Sequence, residues 1–149
     1  MTRPVVEGME ELQANMAKLS REYGKAVAEA GVAGAELVRG EAIKSIQSTS
    51  GGRLVTRSRE GGGTYQHTAS RPGDAPNTDS GDLVRRIQVD VSQNAVFVGV
   101  TGKVGEYGAF LEFGTSKMEP RPWLNPALES QRRNVEQLFI QAAEPEGKL

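Results

Sequence analysis

The chain has 149 residues, a net charge of −1, a pI near 5.9 and no cysteine. That charge gives no global electrostatic case for a nucleic-acid binder or a membrane-surface protein, and the missing thiols exclude disulfides and thiolate metal sites. Leu, Ile, Val and Phe supply only 32 residues, close to the roughly 20% level below which disorder is expected, so a single domain over 1–149 must have a thin core.

The opening MTRPVVEG has no apolar run of signal-peptide length and no later stretch approaches a membrane span, which points to action in the cytoplasm. From Met9 to about Ile46, apolar residues fall at Met9, Leu12, Met16, Leu19, Tyr23, Ala26, Ala30, Ala33 and Leu37. These steps of three and four predict one long helix over 9–47 with a heptad-like seam. Gly31 and Gly34 each cost about 1 kcal/mol against alanine in a helix, so a bend is expected near them.

Residues 48–80 hold six Gly, two Pro and ten Ser or Thr, with only Leu54, Val55, Tyr65, Ala69 and Ala75 apolar. Such a segment cannot fold by its own burial and reads as an extended loop. Within it RLVTR, Arg53 to Arg57, and TYQHT, Thr64 to Thr68, are joined by REGGG, which predicts a loose β-hairpin arm.

Leu83, Arg85, Ile87, Val89 and Val91 alternate with polar residues except at Val84, and Val96, Val98 and Val100 alternate on the return, with Ser92, Gln93 and Asn94 in the turn. Sheet and arm are assigned to 83–119. Tyr107, Phe110 and Leu111 stand at helical spacing, and a third strand through Phe113 is the alternative. Pro120, Pro122 and Pro126 stiffen the chain and push Glu119, Arg121 and Asn125 towards extended backbone. Gly114 is placed for a left-handed turn, Trp123 for a rigid aromatic anchor and Arg121 for a preoriented guanidinium. A C-terminal helical segment covers 122–143. Asn125 serves as N-cap and Pro126 as first helical residue; Leu128, Val135, Leu138, Phe139 and Ala142 are buried and Pro145 ends the helix.

No catalytic constellation emerges. Gly99 to Lys103 lacks the spacing of a phosphate loop and is followed by Val104 where Ser or Thr is needed. His67 is the lone histidine and reads as a loop residue touching backbone or solvent. Glu106 and Glu112 could share a face without being catalytic. Arg53, Arg57, Arg59 and Arg71, four positive charges against Glu60, give the loop a local charge of +3, suited to an acidic protein partner or to phosphate. No aromatic interleaving favours base stacking.

The order Glu112, Phe113, Gly114, Thr115, Ser116, Lys117, Met118, then Arg121, Pro122, Trp123, Leu124, Pro126, Ala127 and Leu128, resembles the signature of the phage tail-completion (head-tail joining) family of long-tailed phages. Ser70 to Leu83 is similar to a second element of that family, with Ser80 where threonine is more usual. With the leading and closing helices the resemblance covers nearly the whole chain. The expected fold is α+β: a long N-terminal helix, a small antiparallel sheet of three to four strands with a hairpin arm, and a C-terminal helix. The resemblance implies a structural, non-enzymatic virion protein of the neck without cofactor or metal, made in the host cytoplasm. It would form a homo-oligomeric ring of six or twelve copies between head connector or stopper proteins and the tail terminator or tail tube, with DNA passing through the lumen. Glu112, Phe113, Gly114, Thr115, Arg121, Pro122, Trp123 and Pro126 are the expected structural and interface residues. A nucleic-acid-binding protein using the basic loop 53–71, or a stopper ring closer to the portal, are the alternatives.

Overall fold

The computed structural model describes residues 8–48, 50–93 and 95–144. Residues 1–7, Asn94 of the expected turn and the helix-ending Pro145 lie outside them. The elements run α1 Met9–Gln47, β1 Gly52–Ser58, β2 Thr64–Ser70, α2 Asp82–Arg86, β3 Gln88–Val91, β4 Val96–Gly99, α3 Gly102–Phe113 and α4 Asn125–Ala143. The α+β class holds, with its four strands divided between two antiparallel two-stranded sheets, β1 with β2 and β3 with β4.

At 1.5 Å per residue, the 39 residues of α1 extend about 58 Å. The helix runs through Gly31 and Gly34 as one element, and their lack of a side chain serves packing. A Cβ on Gly34 would lie 3.1 Å from Val135 Cγ1 of α4, and one on Gly31 3.3 Å from Val96 Cγ2 of β4. The buried residues of α1 are Ala30, Gly34, Ala35, Val38, Ala42 and Ile46. This stripe advances in steps of four and displaces the expected seam, leaving Ala33 and Leu37 exposed. Small side chains win because they let α4 and the β3–β4 hairpin approach the helix backbone.

The core joins Val38, Ala42 and Ile46 of α1 to Leu83, Ile87, Leu111, Trp123 and Ala127. Leu83 belongs to α2, correcting the strand expected from that residue. Leu83 and Ile87 are four apart as well as on one alternating face, and the helical reading of that spacing is the one realised. Local contacts favour it: the Ser80 hydroxyl accepts the Asp82 N–H at 3.3 Å and Arg85 pairs with Asp82 at 2.7 Å. Arg39 Nε of α1 then donates to the Ile87 carbonyl at 2.8 Å, fixing the passage into β3.

Tyr107 to Phe113 is helical, within α3. In α4 only Ala127 is fully buried, while Val135, Leu138 and Ala142 are half-buried. Leu128 and Phe139, expected inside, are 43% and 39% exposed, because they border an open groove instead of the core.

Candidate assembly surfaces

The stretch between α3 and α4 is held at both ends by backbone hydrogen bonds. Gly114 ends α3 with φ +75°, a conformation that favours glycine, and a Cβ there would meet the Met118 carbonyl at 2.8 Å. Thr115 and Met118 close a tight turn through Thr115 N–H to Met118 O at 2.8 Å. The Arg121 N–H then donates to Leu111 O at 2.6 Å, and Pro120 O accepts the Gly73 N–H at 2.9 Å. Arm, α3 and the loop after β2 are thereby tied together.

Glu112 organises the start of α4. Its carboxylate accepts the N–H groups of Trp123 at 2.8 Å, Leu124 at 2.9 Å and Asn125 at 2.9 Å. These are donors that a helix N-terminus leaves without intrahelical partners, and an anion there is also favoured by the helix dipole. The N-cap position is Leu124, with no side-chain cap of its own. The cap therefore comes from Glu112 of the preceding helix and not from Asn125, and Pro126 stands in the first turn as expected. Glu106 is exposed on α3.

Trp123 is 4% exposed and donates its indole N–H to Gly108 O at 3.0 Å. A Cβ on Gly108 would come within 3.3 Å of both Leu83 Cδ1 and Trp123 Cζ2. The anchor thus fills a pocket of its own chain, formed by α2 and α3. Pro122 beside it is half-buried, whereas Phe113 is 79% exposed and, with Tyr107 and Phe110, leaves an aromatic row along α3 in solvent.

The expected hairpin forms, with Arg53 opposite Ala69, Val55 opposite His67 and Arg57 opposite Tyr65. Its arginines have separate fates. Arg57 pairs with Asp79 at 3.2 Å and Arg59 lies over the Tyr65 ring at 5.7 Å. Arg53 and Arg71 instead line a cavity of about 450 Å³ together with Arg121. Arg121 Nε donates to Ser70 O at 3.1 Å. His67 is no loop residue: it stands in β2, largely buried, with Nδ1 3.7 Å from Asp79 Oδ1.

Asp79 and Asn77 were not singled out by sequence, although they lie within the Ser70 to Leu83 element. Asp79 accepts the Tyr65 phenol at 2.7 Å, and that bond, then burial and the carboxylate charge, hold the phenol above its ordinary pKa of 10.0. Asn77 donates to Ser50 O at 3.0 Å and Thr68 O at 2.8 Å and accepts the Ser50 N–H at 2.9 Å. Thr78 Oγ1 donates to Ile46 O at 3.0 Å. The base of the hairpin is therefore fastened to the end of α1 by polar side chains in a segment with little apolar content.

Two further apolar surfaces, besides the aromatic row of α3, have no partner within the described chain. Every residue of α1 up to Glu22 is exposed, including Met9 at 48%, Leu12 at 53%, Met16 at 63% and Leu19 at 52%. Separately, a groove of about 570 Å³ runs between the second half of α1, the β3–β4 hairpin and α4, lined by Val27, Val38, Val96, Leu128, Val135 and Phe139 among others. Among the described residues no group of three His, Cys, Asp or Glu could hold a metal ion, and no helix is long and apolar enough to cross a membrane. GVTGK is split between the end of β4 and the start of α3.

Comparison with curated proteins and with solved structures gives no match. The family described as "Bacteriophage HK97-gp10, putative tail-component" matches residues 10–114, which take in α1, both hairpins, the Ser70 to Leu83 element and α3 through Gly114. The Arg121 to Leu128 part of the signature lies past the matched residues. With well over half of its length matched, the chain belongs to this HK97-gp10-like family of phage tail components.

Proposed function

We propose that this tail component works at the neck of a long-tailed phage, as a ring that completes the tail end and joins it to the head. The observation that carries the reading is the pair of separate unpartnered apolar surfaces, the Met9–Leu19 stripe of α1 and the groove beside α4. A closed ring with cyclic symmetry uses two different patches on each subunit, and a chain with one patch would stop at a dimer. The area supports it: the chain exposes 11372 Å², against about 7400 Å² for a compact monomer of 16.0 kDa. In this reading the stripe of one copy lies in the groove of the next. Six copies fit the symmetry of such tails, with twelve as the alternative. Head connector or stopper proteins adjoin one side, the tail terminator or tube the other, and DNA threads the lumen without sequence-specific contacts.

Electron microscopy of a phage lacking this protein tests the assignment. The expected lysate holds filled heads beside finished, unattached tails. Finished virions, or tails that never polymerise, would place the protein elsewhere in the tail.

A further inference from the structure

Three arginines from distant parts of the sequence converge on one concavity. Arg53 comes from the start of β1, Arg71 from the exit of β2 and Arg121 from the arm before α4, and together they line a cavity of about 450 Å³ with Gly52, Val55 and Pro72. The lining contains no carboxylate. Among the described residues none of the three guanidinium groups has an ion-pair partner, whereas Arg57 on the same hairpin is neutralised by Asp79. Like charges brought together repel, and an anion from outside would offset that repulsion.

We propose that Arg53, Arg71 and Arg121 form a carboxylate-binding site for an acidic side chain of a neighbouring protein subunit. Arg121 sets the geometry. Its backbone is fixed between Pro120 and Pro122 and by the N–H bond to Leu111 O, and its Nε is spent on Ser70 O at 3.1 Å. The terminal nitrogens donate no such bond within the described chain and remain for a two-oxygen acceptor, the match that guanidinium makes with carboxylate. Arg53 and Arg71 are exposed at the rim and supply further donors. Arg71 Nη2 lies where a Cβ on Gly51 would be only 3.2 Å away, so the bare glycine leaves room for that guanidinium beside the strand.

A protein carboxylate suits the site better than a nucleic-acid phosphate. The cationic groups sit in a recess bounded by the hairpin base and the arm, reachable by a single side chain on a protruding segment. Duplex phosphates instead form a continuous ridge and bind basic stripes, and this chain has a net charge of −1. The inference rests on the reading of this protein as a subunit that meets other virion proteins, but its test is made on the free chain.

The test uses a labelled peptide of alternating glutamate and glycine, its glutamine counterpart and a short DNA duplex, each titrated against the free chain at physiological salt. The expected result is binding of the glutamate peptide alone, weakened about tenfold or more by Arg53→Ala combined with Arg71→Ala, the loss of one or two charge-assisted hydrogen bonds. Arg57→Ala, which removes a neutralised charge, leaves binding unchanged. Arg121→Lys keeps the charge and loses the fork, so it also weakens binding, and circular dichroism checks that the variant is folded. Equal binding of the glutamine peptide, equal loss in Arg57→Ala, preference for the duplex, or no binding to the intact chain each overturns the proposal. Light scattering on the same samples reports ring formation independently, so failure of the site and failure of the ring reading are distinguishable.

Discussion

Glu112 Oε2 accepts the backbone N–H of Trp123 at 2.8 Å, so the residue that closes one helix opens the next. Glu112→Ala leaves three N–H donors without an acceptor and should cost about 1–3 kcal/mol. Glu112→Gln keeps an acceptor but loses the charge that favours a helix N-terminus, at about 0.3–1 kcal/mol. Thermal melts should rank the variants in that order. Equal melting of all three proteins would show that the cap contributes nothing.

Trp123→Ala should destabilise the subunit by about 3–5 kcal/mol, since it empties a pocket inside the chain. The melting temperature and soluble yield should both fall before assembly is reached. A monomer that melts normally while failing to assemble would mean that the indole is held by another subunit.

Gly114→Val places a β-branched residue at φ +75°, with its Cβ against the Met118 carbonyl. The strain should lower stability by about 1–3 kcal/mol and loosen the Thr115–Met118 turn. Gly31→Leu probes a different cause, crowding of Val96, and should be destabilising even though Gly31 needs no unusual backbone.

Met16→Glu and Leu19→Glu lie on the exposed stripe of α1, so circular dichroism and melting should stay within about 0.5 kcal/mol of the original. Light scattering should nonetheless show loss of the ring. Phe139→Glu, in the groove, should have the same effect. Rings that form as readily with all three substitutions would remove the support for stripe-in-groove assembly.

The Tyr65 phenol is bonded to the Asp79 carboxylate, which raises its pKa above 10.0. A group whose folded pKa is raised contributes stability that is fully present below its unfolded value and lost as pH rises through the folded one. The hairpin base should therefore loosen only in the alkaline range above 10.0. In a protein carrying Tyr23→Phe and Tyr107→Phe, near-ultraviolet titration should place Tyr65 above its ordinary value, and Asp79→Ala should return it there.

The span of α1 and the hairpin around REGGG were legible because each is written in local sequence: unbroken helical spacing in one, glycines between polar arms in the other. The buried face of α1 was not. Its contacts are made by Ala30, Gly34 and Ala42, whose value lies in being small, while Leu12 and Leu37 carry the stronger apolar signal and face solvent. Leu83 was ambiguous for another reason, because a spacing of four satisfies both a strand face and a helix face. Arg121 could be read as preoriented from its flanking prolines. The role of Glu112 could not, since its three donors lie 11 to 13 residues away and meet it only once the arm has turned back.

A helix buried only over its second half is a rod clamped at one end. With about 21 Å of α1 standing clear of the body up to Glu22, a tilt of about 5° at the clamp moves the tip near Met9 by about 2 Å without disturbing a single core contact at that tip. In the proposed ring, subunits built this way would meet neighbours at slightly different spacings around one circumference. The thin core and the long overhang then belong to the same solution: rigidity is kept where α4 and Trp123 grip the helix, and tolerance is placed where, in the proposed ring, one subunit would reach for another.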